Sequence, residues 1–255
     1  MRVTFLASGS SGNAAIIESG GRAVLLDAGL SAREILRRAM ASGAGDARIE
    51  AIVLTHEHID HVRGTRVLAR RLGVPVIATG GTLNAAAMHL ADVPETASIG
   101  RRERFSVAGL RITAFPTAHD AAESVGYTIE SRTGRRVTIA TDTGVITPEI
   151  AEAIAGAHVV GLESNHDLGM LQTGPYPPFL KRRIAGDRGH LSNDDAASAI
   201  ASVAWRGLTH VYALHISEQN NTPDRARSTL ARPLSKHDGV LLETVGRNEI
   251  AGCEV

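Results

Sequence analysis

The stretch Leu54-Thr55-His56-Glu57-His58-Ile59-Asp60-His61 decides how the rest of the chain is read. Residues 51–55 form an apolar run that reads as a buried strand. It stops where three imidazoles and a carboxylate crowd into six residues. In an extended or tightly turned segment, His56 and His58 reach one side. Asp60 and His61 then serve a second position a few ångströms away. Nitrogen and oxygen donors of this kind suit Zn, Mn, Fe or Ni. A polar loop with no task beyond solvation has little need of four such side chains.

Outward from that segment, short apolar runs alternate with helical patterns. Strands are expected at 2–7, 14–18 and 23–27, with Gly20-Gly21 as the hairpin turn between the last two. Ser31 and Glu34 make a capping box for a helix over 31–42, whose Ile35, Leu36 and Ala39 share one face. The pattern then predicts a helix over 65–72 ending at Gly73, a strand over 74–78 and a helix over 82–90. The second half continues in the same style. Strands are expected at 110–115, 124–130, 137–140, 158–163, 210–214 and 240–245. Pro148 opens a helix over 148–154. Ser192 caps one over 192–204, with Asp194 and Asp195 near its positive end. Thr222-Pro223 opens another, running to 231. This order means an α/β architecture. It leaves a layered sandwich and a doubly wound sheet both open.

Bulk properties narrow the class. The chain has 255 residues, enough for one domain with a substantial core, and we read 1–255 as a single unit. Its 27 basic and 27 acidic residues cancel, so net charge alone argues for no polyanionic partner. Lys181 and Lys236 are the only lysines, and the arginine excess reads first as composition bias. Four Phe, three Tyr and one Trp are too few for a long base-stacking platform. No run approaches the roughly 18 to 20 apolar residues of a membrane span. The start, Met1-Arg2-Val3-Thr4, lacks signal-peptide features, and Cys253 is the lone cysteine. These features lead us to expect a cytoplasmic protein without a membrane partner.

The segment His56-x-His58-x-Asp60-His61 resembles the signature of the metallo-β-lactamase superfamily. That resemblance implies a four-layer αββα sandwich with a dinuclear site between the sheet edges. Further segments match in the family's order. Asp27, in Leu25-Leu26-Asp27-Ala28-Gly29, matches the early aspartate that supports the metal loop. His119 in Pro116-Thr117-Ala118-His119, Asp142 in Thr141-Asp142-Thr143-Gly144 and His215 in Leu214-His215-Ile216 match later ligands. The implied assignment gives His56, His58 and His119 to one metal, and Asp60, His61 and His215 to the other. Asp142 bridges them, and Asp27 stands behind the ligands. His210 competes with His215 for the last place. The implied cofactors are two divalent ions, Zn or Mn ahead of Fe or Ni.

Substrate class is read from other segments. True β-lactamases of similar pattern commonly carry cysteine where this chain has Asp142. Gly189-His190-Leu191-Ser192 resembles the Gly-His-Ser/Thr loop of the RNase Z branch, with Leu191 interposed. There the histidine assists the leaving oxygen, so His190 joins Asp60 and Asp142 as a catalytic candidate. The alternative for His190 is a simple helix-entry residue. Lys181, Arg182, Arg183 and Arg188 suit a phosphate-bearing substrate, or form a solvated helix face.

Three stretches, 6–13, 162–167 and 217–223, look like the YycJ (WalJ) family, which is associated with 5′ to 3′ exonuclease activity on DNA. On that resemblance Ser10, Ser11, Asn13 and Ser192 are substrate candidates and His166 is a rim residue. The 8–13 loop otherwise reads as a tight turn that needs its glycines. DNA is expected ahead of RNA as the substrate. The length leaves little room for an inserted nucleic-acid clamp, so the sandwich surface or a homodimer must serve. The expected chemistry is attack by a metal-bridged hydroxide, from a water whose pKa falls far below its bulk value, toward roughly 7. A small-ester hydrolase (thioester, lactone or cyclic phosphodiester) would share the same ligands. A non-enzymatic metal-stabilised interaction module is the alternative from another class.

Overall fold

The computed structural model describes residues 1–203, 205, 207–235, 237 and 239–255. Along the chain the first strands are β1 (Arg2–Ala7), β2 (Ala14–Ser19), β3 (Arg22–Leu26), β4 (Arg48–Val53), β5 (Val76–Thr79) and β6 (Thr96–Ile99). Then follow β7 (Arg104–Val107), β8 (Leu110–Pro116), β9 (Val125–Glu130), β10 (Arg136–Ala140), β11 (Val159–Glu163), β12 (His210–Leu214), β13 (Leu241–Thr244) and β14 (Ala251–Glu254). They form two sheets, ordered β14-β1-β2-β3-β4-β5-β6 and β13-β12-β11-β10-β9-β8-β7.

Both sheets follow one plan. From β14 through β3 the neighbours are antiparallel, and from β3 through β6 they are parallel. In the second sheet β7 through β10 are antiparallel, and β10 through β13 are parallel. β3 and β10 are therefore the strands at which direction switches. The carboxyl ends of strands near such a switch are where α/β sheets open a crevice.

Strand periodicity builds the layers. Side chains alternate between faces along a strand. Ala51 and Val53 thus face the other sheet, beside Val3, Ile17, Ile112, Tyr127, Ile139 and Tyr212. Ile52 and Leu54 face outward, against Ile35 of α1 (Ala32–Ala41) and Leu68 of α3 (Thr65–Leu72). Between these helices lies the single turn α2 (Ile59–Val62). The first half also holds α4 (Gly80–Ala85). On the other side, Val160, Leu162 and Val211 pack on Ile150 of α5 (Pro148–Ile154) and, beyond α6 (Leu168–Thr173) and α7 (Pro178–Ile184), on Ile200 of α8 (Asn193–Val203) and Leu230 of α9 (Pro223–Leu234). The order of layers is helix, sheet, sheet, helix, which selects the layered sandwich over the doubly wound sheet.

Several boundaries differ from expectation. The helix over 82–90 is instead α4 followed by a separate 3-10 turn at Ala87–His89. Thr79 caps its start by accepting from the Thr82 amide, which draws Gly80 and Gly81 into the helix. The helix from Thr222 runs on to Leu234, with Pro233 inside its last turn. The expected helix end at Ala204 lies outside the described residues. The Gly20-Gly21 turn forms as read, both residues having positive φ between paired Ser19 and Arg22.

Candidate metal centre

At the carboxyl ends of β3, β4, β10, β11 and β12 the chain brings histidines and carboxylates together. Leu54 and Thr55 extend β4, and His58 is the last extended residue before α2 begins. This change from strand to helical turn splits the motif. His56 and His58 point toward His119, while Asp60 and His61 point toward His215. In each of the sets His56-His58-His119, Asp60-His61-His215 and His56-His61-Asp142, one donor atom per residue lies within 4.8 Å of the others.

The tautomers follow from the anchors behind the rings. Thr55 gives its hydroxyl proton to Asp27 Oδ2 at 2.9 Å, and its amide donates to Asp27 Oδ1 at 2.8 Å. His56 Nδ1 therefore donates to Thr55 Oγ1, 3.0 Å away. His61 Nδ1 donates to Asp27 Oδ2 at 2.8 Å. His119 Nδ1 donates to the Gly189 carbonyl at 3.0 Å, and His215 Nδ1 to Glu163 Oε1 at 3.0 Å. Each of these four rings thus commits its Nδ1–H outward and aims its Nε2 inward. His58 is reversed: its Nδ1 lies 3.3 Å from His119 Nε2.

The inward atoms are short of partners. His56 Nε2, His215 Nε2 and Asp142 Oδ2 are buried and make no hydrogen bond. Asp142 lies between the two sets, 3.2 Å from His61 Nε2, 3.6 Å from His215 Nε2 and 3.7 Å from His119 Nε2. Buried polar atoms are costly when unpaired. Buried nitrogen and carboxylate donors that converge with these atoms left unpartnered fit a cation, so these residues fit divalent metal.

Backbone strain accompanies the arrangement. Asp27, Asp142 and His215 each follow a strand with φ of 57°, 56° and 53°. Left-handed backbone in such residues costs on the order of 1–3 kcal/mol each and persists where surroundings enforce it. At His215 the enforcing contacts are its amide on Ser8 Oγ at 2.8 Å and the Asn165 side-chain amide on its carbonyl at 2.8 Å.

Electrostatics divides the histidines. Burial, with the charge of His61, holds His56 well below 6.5, and burial lowers His119. Burial also opposes charge on His61 and His215. There Asp27 and Asp142, and Asp142, Asp60 and Glu163 respectively, outweigh it and hold both well above 6.5. Asp142 is pulled well below 3.8 against its own burial, chiefly by His215 and His61.

Glu163 is the functional-looking residue that sequence reasoning did not select. It is fully buried at the end of β11. Oε1 accepts from both His190 Nδ1, at 2.8 Å, and His215 Nδ1, while Oε2 accepts from the Thr143 amide at 2.8 Å. Against burial, the two histidines push it down to about 2, and Glu163 in turn raises His190. An acid ending the apolar run Val159-Val160-Gly161-Leu162 was the available signal.

The remaining candidates separate. Ser10 is exposed and lines a cavity beside His190. Ser11 lies next to it, with its carbonyl accepting from Arg63 at 3.4 Å. Asn13 is turned inward: it accepts from the Gly9 amide at 2.9 Å and approaches His61 Nε2 at 3.0 Å. It therefore knits the 8–13 loop to the metal loop instead of facing a substrate. Ser192 is buried and caps α8 through the Asp195 amide at 3.1 Å, so its hydroxyl is likewise committed. Arg183 pairs with Asp120 at 2.6 Å, and Arg188 donates to the His119 carbonyl at 3.0 Å. Arg182 is exposed on α7 with no partner among the described residues. His166 is buried with Nδ1 unpartnered and belongs to none of the donor sets. His210 packs against Tyr212, away from those sets. A cavity of about 640 Å³ lies among the starts of β3 and β4, at the opposite end of the sheet, and holds none of this chemistry.

Fold and donor set together define a metal-dependent hydrolase. The family model described as the Beta-lactamase superfamily domain matches residues 22–216. The exodeoxyribonuclease YycJ of Bacillus anthracis is 36% identical over 242 residues, covering 92% of this chain and 90% of that protein. The exodeoxyribonuclease WalJ of Streptococcus pneumoniae (strain D39) is 30% identical over 249 residues, covering 93% and 89%. The metallo-β-lactamase fold protein YhfI of Bacillus subtilis superposes with a TM-score of 0.73 at 14% identity, over 99% of each chain, a likeness of fold. The chain belongs to the metallo-β-lactamase superfamily, with YycJ and WalJ among its relatives.

Proposed function

We propose that the chain is a two-metal phosphodiesterase that degrades DNA from the 5′ end. The observation that carries this reading is the pair of donor triads with Asp142 between them, and His190 Nδ1 3.9 Å from that carboxylate. His56, His58 and His119 would hold one cation, Zn or Mn. Asp60, His61 and His215 would hold the second, with Asp142 common to both. When bound, such cations supply an activated water and neutralise charge on the phosphate oxygens. Asp60 and Asp142 would orient the attacking water by accepting its hydrogen bonds. Glu163 holds Nδ1 of His190, which leaves Nε2 to give a proton to the departing 3′ oxygen. Asp27 would keep the metal loop in register through Thr55 and His61. The relatives' names support DNA as substrate, and the 5′ to 3′ direction comes with the YycJ and WalJ likeness. We read 1–255 as one domain in this role. Among the described residues no helix is long and apolar enough to cross a membrane.

Incubation with Mn or Zn on single- and double-stranded DNA and RNA, labelled at either end, tests the reading. Release of the 5′ label as mononucleotide from DNA is expected. Turnover of a thioester with intact nucleic acid would overturn it in favour of a small-ester hydrolase. Full metal content without any turnover would favour an interaction module. A homodimer would appear in sedimentation at assay concentration.

A further inference from the structure

Beside His190 lies a cavity of about 200 Å³ that the proposed metal centre does not use. Its wall comes from separate segments: Ser10, Asn165, Tyr176, Leu180, Arg183 and Ser217 contribute. Tyr176 and Leu180 are half-buried and supply the large apolar surface, while the others supply hydroxyl, amide and guanidinium groups. A drug-sized ligand needs roughly 300–1,000 Å³. The smaller space here suits one nucleobase with its sugar, and a second base would stand outside.

The way Tyr176 is mounted matters. It sits in Gly174-Pro175-Tyr176-Pro177-Pro178, between α6 and α7. Proline fixes φ, so the three prolines limit the conformations this loop can sample. The adjoining α7 is tied down as well. Lys181 Nζ donates to the Gln172 carbonyl at 2.7 Å, and Arg183 Nε donates to Asp120 Oδ2 at 2.7 Å. The backbone that carries the ring is therefore restrained at the cavity wall before any ligand arrives, and aromatic faces accept every base.

Resting on the phosphodiesterase reading above, we propose that this cavity receives the 5′-terminal nucleotide of a DNA chain and that Tyr176 stacks on its base. Position relative to His190 supports the assignment. In 5′ attack, the bond from phosphorus to the terminal nucleotide's 3′ oxygen breaks as the bond from water to phosphorus forms. The terminal nucleotide leaves with a proton from His190. Water's lost proton passes to solvent, and the remaining chain keeps the phosphate. The departing nucleotide must then lie on the His190 side, where the cavity is. A cavity of this size accords with mononucleotide products.

The test compares kcat/KM on one single-stranded oligonucleotide carrying either thymine or an abasic sugar at its 5′ end. Wild-type protein, Tyr176→Ala and Tyr176→Phe are assayed with Mn. Stacking of this kind is worth about 5- to 150-fold per base. Wild type should favour the thymine end by about 10- to 100-fold. Tyr176→Ala should reduce that preference to about threefold, and Tyr176→Phe should keep most of it. An unchanged preference in Tyr176→Ala, its loss in Tyr176→Phe, or dinucleotides as first products would overturn the pocket. Metal-loaded wild type that cleaves neither bis-p-nitrophenyl phosphate nor any DNA end would overturn the phosphodiesterase reading. Cleavage of both DNA ends at equal rates would overturn the pocket and the 5′ direction but leave the phosphodiesterase reading standing.

Discussion

At Glu163 one oxygen serves two imidazoles, His190 and His215, which belong to different tasks in the proposed mechanism. Replacing the carboxylate by an amide keeps the shape but removes the charge that both rings face. Glu163→Gln should lower phosphodiester turnover by about 10²- to 10⁴-fold through His190. It should also weaken metal affinity by roughly 10- to 100-fold through His215. Elemental analysis after dialysis, beside turnover at saturating metal, separates the two effects. Unchanged values in both would leave Glu163 a packing residue. The contrast with His56 to His61 explains what a sequence can disclose here. Four donors in six residues announce themselves locally. Glu163 gains its role only because β11 lies beside β12, setting Glu163 against Leu214 and next to His215. Asn13 and Ser192 carry polar groups equally suited to a ligand or to the chain itself. Only the fold decides that both face inward.

The elements that matter are the short connections leaving the strands. Gly29, just after Asp27, donates its amide to the Asn13 carbonyl at 2.8 Å, and a Cβ there would lie 1.6 Å from the Asp60 carbonyl oxygen. The 8–13 loop, the residues after β3 and the metal loop meet with no room to spare. Gly29→Ala should force the metal loop aside, at a cost of about 1–3 kcal/mol or more. That corresponds to a melting temperature lower by at least roughly 2–4 °C. Metal content should fall with it; a variant that melts like wild type and holds full metal would show that the loops can yield. Strands such as β3, β4 and β12 were legible because apolar runs ended at sharp polar boundaries. α2, α6 and α7 were not: one is a single turn, and the other two are short and flank the proline-broken segment 174–178. β6, β7 and β14 have four residues each, too few for a periodic signal.

At the scale of the whole molecule the buried charge cluster sets the response to metal and pH. His61 and His215 hold protons well above 6.5 while no cation competes for them. A raised folded-state pKa contributes stability fully below the unfolded value and loses it as pH rises through the folded value. Chelated protein should therefore lose stability as pH climbs above about 6.5. Cation uptake must displace the same protons, so it should tighten over that range. Cation at a hundredfold its Kd adds about 2.7 kcal/mol per site, or roughly 5–10 °C in a chain of this size. The gap in melting temperature between loaded and chelated protein should widen from about pH 6 to pH 8.5. A gap that narrows would mean the two rings are not displaced by metal.

The matched strand plans of the two sheets have a practical corollary. Asp27 follows the switch strand of one sheet and Asp142 that of the other, with almost the same φ. The first sheet's loops bring His56, His58, Asp60 and His61; the second sheet's bring His119, Asp142 and His215. Neither half owns a complete set, so bound cation would act as a rivet across the seam. Cutting the exposed link between Arg101 and Arg102 should yield two fragments that find each other again, because β14 of the second still pairs with β1 of the first. Co-expressed fragments should copurify through a tag on one of them, and EDTA should loosen the pair. Such a split protein would turn metal occupancy into an assembly signal.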